Sequence, residues 1–251
     1  MPFTLSHTIV AVPIAKVLRL PIAGVVIGSM SPDLIRFFTD NTQLAFLAHR
    51  WQGLIYPDLA LSLLFLLLWY SIYRPVIFHF LKIQAPFTFN GFLSYGKFLL
   101  LLILGILIGT ASHIIWDGLT HLDFRTFAFK QELAQTYQLF GHRYPLHRIL
   151  QIGCSALALP VVLWLIYRYI QNHKIAYQYT AFDFIAGCST LVLTLASSCY
   201  ALYHYFQSHQ YLIKQDFYFF IGKAINVSVF MGLVCFSLCC LVILILQKLK
   251  N

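Results

Sequence analysis

The stretch "FLLLLILGILIGTASHIIWDGLTH", residues 98–121, decides how this chain is read. After Phe98, residues 99–109 are all leucine, isoleucine and glycine, and residues 98–118 supply the roughly 20 mostly apolar residues that a helix needs to cross a bilayer. The same helix then carries His113, Asp117 and His121 at four-residue intervals. Positions four apart on a helix project from one face, so a membrane helix here presents three metal-capable side chains in register. Ionisable residues at membrane depth are costly and mark a functional site by default.

Composition agrees with that segment. The 251 residues are 60% hydrophobic and 10% charged, and the mean hydropathy is +0.76. A soluble domain carries about 25% charged residues, so charge is too scarce here to cover a water-facing surface. The expected fold is an all-α, polytopic transmembrane helix bundle. Clear spans fall at 53–73, 98–118, 149–169, 181–206 and 224–247. Residues 1–52 are apolar but broken by Pro13, Lys16, Arg19, Pro21 and Pro32. They fit one or two short interfacial or re-entrant helices packed on the bundle. The chain reads as a single integral membrane domain, with residues 1–170 carrying the candidate site and residues 181–251 adding two further transmembrane helices.

The opening "MPFTLSHTIV" has no basic region followed by a small-residue cleavage site, so insertion is expected to rely on the spans themselves. The net charge of +9 comes from lysines and arginines spread singly between spans. That is a topology and headgroup pattern, and it lacks the clustered stripe that nucleic acid requires. Segments 1–52, 119–148 and 206–223 hold ten Lys/Arg against seven in the alternate segments, which weakly places the first set in the cytoplasm. The six cysteines form no CxxC and read as small buried apolar residues.

Other polar residues stand at the ends of apolar segments: His7 in "TLSHT", Asp33 in "GSMSPD" and His49 in "LAHRWQG". Each has an ordinary structural reading as well. Ser6 suits a helix cap, and Pro32 suits a helix start that would put Asp33 in a first turn. Together with His113 and Asp117 they make a set of imidazoles and carboxylates suited to one or two divalent transition-metal ions such as zinc, manganese or iron. His121 lies two turns from His113. Gly118 and Thr120 would let the helix end and fold His121 back as a ligand, a support to the ligands or an acid/base. Asp58, beside Pro57, is a further residue that could face the same cavity. Gly105 and Gly109 form a small-xxx-small pair that allows another helix to approach closely. Arg36, Arg50, Arg143 and His147 are candidate contacts for an anion or headgroup, or plain anchors of helix ends.

The blocks "MPFTLSH", "VIGSMSPD", "HRWQGL" and "GTASHIIWDGLTH", in that order, resemble a bacterial membrane family known as domain of unknown function 4184, and "YPLHRILQIGCS" resembles its next block. More distantly they are similar to membrane-bound metal-dependent hydrolases of the YdjM-like group and to zinc-dependent phospholipase C. The resemblance implies His7, Asp33, His49, His113 and Asp117 as metal ligands. Where that family often reads Gln-His-Gly-Ser, this chain has Gln151-Ile152-Gly153-Cys154. The resulting expectation is a multi-pass protein of a bacterial cell membrane, in contact with membrane lipids. It would hold zinc and hydrolyse an amphiphilic lipid or lipid-phosphate substrate, with Asp117 and His121 catalytic. A proton or metal transporter and a non-catalytic protein with a degenerate metal site are the alternatives.

Overall fold

The computed structural model describes residues 4–39, 42–86, 91–139, 141–176 and 178–250. They form an almost wholly helical chain. In order, the elements are α1 (Thr4–Leu18, its first turns 3-10), α2 (Ile22–Leu34), α3 (Thr42–Ala48), α4 (Trp51–Leu81), α5 (Phe92–Thr120) and α6 (Lys130–Ala134). A hairpin of β1 (Thr136–Leu139) and β2 (His142–Pro145) follows, then α7 (Leu146–His173), α8 (Ala181–Gln215) and α9 (Phe217–Lys250). Five of these helices, α4, α5, α7, α8 and α9, are long and apolar enough to cross a membrane. The chain is therefore a multi-pass membrane protein by the length and composition of its helices.

Every expected span is present, and each is longer than its apolar window. The stretch 74–97, rich in aromatic residues, continues α4 to Leu81 and opens α5 at Phe92. Residues 87–90 of that segment lie outside the described residues. The hairpin before α7 is a local exception to the all-α pattern, with Thr136 opposite Pro145 and Gly141 at φ 80° in its turn, a conformation glycine takes without strain.

By contacts the chain divides into two compact units. The first holds residues 1–66 and 86–169, the second residues 67–85 and 170–251. In the first unit α2 lies along α5. Gly24 and Gly28 of α2 face Leu102 and Ile106 of α5, while Gly105 and Gly109 of α5 face Gly24, Val25 and Ser29. A Cβ on Gly24 would stand 2.6 Å from the Leu102 carbonyl oxygen, so the two backbones touch only because both helices carry glycine at i,i+4. The small-xxx-small pair predicted on α5 thus meets a matching pair on α2.

Pro32 does not begin a helix. It lies in the last turn of α2, and Asp33 sits at the C-terminal end, so the first-turn reading of Asp33 is corrected. Proline costs the helix one backbone hydrogen bond, leaving the carbonyl four residues back unpaired. That carbonyl belongs to Gly28, and two buried hydroxyls take its bonds: Ser31 Oγ donates at 3.0 Å and Thr110 Oγ1 at 3.1 Å. Close helix packing is what makes the late proline tolerable. Ser6 also departs from its expected role: it is buried inside the first turns of α1, and its hydroxyl has no hydrogen bond among the described residues.

The second unit packs α8 along α9, with Ser228 Oγ donating to the Ser198 carbonyl at 3.1 Å. Tyr73, Val76, Cys240 and Ile243 form its buried cluster. Thr180 and Asp183 make a reciprocal capping box at the start of α8. The Asp183 carboxylate also accepts from His79 Nε2 at 2.6 Å and lies 3.7 Å from Lys82 Nζ. All six cysteines are free. Cys240 is buried, but Cys188 and Cys199 lie on exposed apolar faces rather than inside the protein.

Candidate metal centre

Four segments of the first unit bring their polar side chains to one place. His7 comes from α1, Asp33 from the end of α2, His49 from just after α3, and His113 and Asp117 from adjacent turns of α5. Two overlapping groups result: His7, His113 and Asp117, and Asp33, His49 and His113. In each, one ligand atom per residue lies within 4.8 Å of the others. Such a group could hold a metal ion. Around Asp117, His7 Nε2 stands 3.7 Å from Oδ1, and His113 Nε2 and His49 Nε2 stand 3.5 and 3.9 Å from Oδ2. His49 Nε2 is 3.3 Å from Asp33 Oδ1, and Thr4 Oγ1 donates to Asp33 Oδ2 at 2.9 Å. The His7 and His113 rings stack with centroids 3.9 Å apart.

Backbone carbonyls fix which ring nitrogens face inward. His113 Nδ1 bonds the Ser29 carbonyl at 2.8 Å, and His49 Nδ1 bonds the Ala45 carbonyl at 2.9 Å. A carbonyl only accepts, so both Nδ1 atoms carry the hydrogen, and Nε2 of each ring is left facing the carboxylates as the atom a metal would take. That is the usual way a protein orients an imidazole for a metal. His113 Nε2 and His7 Nε2 make no hydrogen bond among the described residues. Burial holds His7 and His49 well toward the neutral form, below the ordinary histidine value. For Asp33 burial acts upward, but His113 and His49 outweigh it and keep the carboxyl well below the usual range.

His121 is brought back as the sequence suggested. Helix α5 ends at Thr120, His121 is extended (φ −107°, ψ 153°), and its Nδ1 lies 3.4 Å from Asp117 Oδ1. Burial lowers it to about 3. The turn that follows is tightly tied: Thr126 Oγ1 donates to the His121 carbonyl at 2.6 Å, and the Phe127 amide to that of Gly118 at 3.3 Å. The Phe127 ring lies flush on Gly118, where a Cβ would collide with it.

Among the basic candidates, Arg36, Arg50 and Arg143 are exposed, and His147 Nδ1 donates to the Leu133 carbonyl at 3.1 Å. The arginine that reaches the cluster is Arg125, which the sequence reading missed. Its Nη1 donates to Asp117 Oδ2 at 2.7 Å, and its other nitrogens clasp Asp123. Burial would lower its affinity for a proton, yet Asp123 and Asp117 more than reverse that and keep it charged. The signal was a lone arginine in "THLDFR", four residues past His121. Ile152, where the resembled family often has histidine, is 53% exposed, whereas its neighbour Gln151 is buried and donates to the Thr120 carbonyl at 3.2 Å. The missing histidine therefore stands on the outward side of α7, and the cluster is assembled without it.

Five apolar spans and a buried histidine–aspartate cluster with metal-ligand spacing define the class: a multi-pass helical membrane protein with a candidate metal centre. The family model described as Domain of unknown function (DUF4184) matches residues 1–246, and the chain belongs to that family. It has no match among curated proteins or solved structures.

Proposed function

We propose that this protein is a membrane-embedded, metal-dependent hydrolase acting on an amphiphilic substrate such as a phospholipid or lipid-linked phosphate, with zinc the first candidate metal. The observation that carries the reading is the convergence of three imidazole Nε2 atoms on two carboxylates, with two of the rings anchored through Nδ1 by backbone carbonyls. Mixed imidazole and carboxylate donors suit zinc, manganese and iron. His7, Asp33, His49, His113 and Asp117 would hold the ion. A metal bound there would polarise a carbonyl or phosphoryl oxygen and lower the pKa of a bound water to about 7.

The remaining roles fall to residues around the cluster. Burial holds His121 toward the neutral form against Asp117, where it would act as a weak base toward an attacking water. Negative charge developing on the reacting oxygen would stabilise the resulting imidazolium. Arg125 offers a charged guanidinium at the same carboxylate and fits the anionic part of a phosphoester. Helix α5 has 29 residues, several more than the roughly 20 that fill the hydrocarbon core. Asp117, one turn from its end, therefore suits the membrane edge, where a lipid headgroup is within reach.

The test is release of product from phospholipid or lipid-phosphate in detergent micelles. Metal-reloaded wild-type protein is expected to turn over, and Asp117→Asn is expected to be inactive while still folded. Metal-dependent ion flux in proteoliposomes with no substrate cleaved would favour transport instead.

A further inference from the structure

The first unit contains a second polar feature that the five proposed ligands do not use. Asp58 follows the break in α4, where Tyr56 leaves helical geometry (φ −143°, ψ 122°), and so stands in the first turn of the continuous helix. Its side chain is fully buried, and neither carboxylate oxygen has a hydrogen bond among the described residues. Ser62, one turn further on the same face, is also fully buried, and its Oγ has no hydrogen bond either. A buried carboxylate and a buried hydroxyl left without partners are each expensive. A matched pair of them, one turn apart, has the form of a site whose occupant must be positive.

The surroundings identify where such an occupant would sit. The segment Ile55–Leu59 packs against α2, α3 and α5, the helices that carry or adjoin Asp33, His49, His113 and Asp117. Asp58 interacts electrostatically with His113 and with Asp33. Among the described residues Arg125 is the cation that reaches the cluster, and it is already engaged by Asp117 and Asp123.

Resting on the metal-centre reading above, we propose that Asp58 and Ser62 form a second divalent-cation site beside the histidine site, so that the protein holds a pair of ions. Carboxylate and hydroxyl oxygens favour a harder ion than the imidazole side does, and paired ions are a recurrent arrangement for hydrolysing phosphoesters.

The experiment is metal stoichiometry on the full chain, purified in detergent, stripped with chelator, and reloaded with zinc or with manganese. Two ions per wild-type chain, falling to one in Asp58→Asn and losing at least the histidine-held ion in His113→Ala/Asp117→Ala, is the expected result. One ion in both wild type and Asp58→Asn overturns the second site and leaves the histidine site standing, with a proton or a water on Asp58. Two ions in both overturns it as well, since the second ion then lies elsewhere. No ion in wild type overturns the metal-centre reading and this one with it. Should Asp58→Asn fail to fold, Ser62→Ala reads the same quantity through the loss of one oxygen. Reduced occupancy of the second ion at limiting metal supports the site, and unchanged occupancy overturns it.

Discussion

At the scale of single residues, the tautomers of His49 and His113 carry the chemical argument. The Ser29 and Ala45 carbonyls hold their Nδ1–H groups, so Nε2 of each ring faces Asp33 and Asp117 and is the atom available to a metal. Burial keeps His7, His49 and His121 below the ordinary value of 6.5, the last at about 3. An unfolded chain would take up protons on these rings below about pH 6.5 while the folded, metal-free chain would not. The unfolded state then binds more protons, and stability falls as pH drops from about 6.5 toward 3. A thermal melt of chelator-treated protein should show a lower midpoint at about pH 5 than at about pH 7.5, and a flat profile would contradict buried neutral imidazoles. Arg125→Gln should leave metal content intact but cut turnover of an anionic lipid by about 10²-fold, in the range seen when a charge-stabilising donor is lost. Equal losses on neutral and anionic substrates would remove Arg125 from substrate recognition.

The helices set these residues through contacts that backbones make directly. Gly28 and Gly109 let α2 and α5 touch, and that contact places the Ser29 carbonyl beside His113. Gly28→Val would drive its side chain into the Ile106 backbone, at a cost of about 1–3 kcal/mol or more. It should lower both the melting temperature and the metal content. Thr110→Val removes one of the two hydroxyls on the Gly28 carbonyl and should cost about 1–3 kcal/mol, read as an earlier thermal midpoint. Much of this scale was legible in the sequence. The spans follow from apolar length, and the His113–Asp117 face follows from helical spacing. The return of His121 follows from the end of α5 at Thr120. Pro32 misled because its usual place is a first turn; only the partner helix, through Thr110, makes a last-turn proline acceptable. Arg125 and the hairpin 136–145 depend on how a polar loop folds back, which no periodicity encodes.

For the whole molecule, sequence order gave the class but not the division into units. The cluster draws on residues 7 to 125, all within the first unit, while residues 67–85 and 170–251 form a second with its own polar anchor at His79, Lys82 and Asp183. Asp183→Asn should lower stability by about 1–3 kcal/mol through loss of charged hydrogen bonds without changing metal content. A loss of metal in that variant would show that the units are not separable in function. Contacts between distant segments define such units, and hydropathy reports only on neighbours along the chain. The central claim, that His7, Asp33, His49, His113 and Asp117 hold a transition metal, is tested most directly by elemental analysis of detergent-purified protein beside His113→Ala/Asp117→Ala. At least one tightly held ion per wild-type chain, absent from a folded double variant, is the predicted result. A wild-type protein that remains metal-free after reloading with zinc, manganese and iron would contradict it.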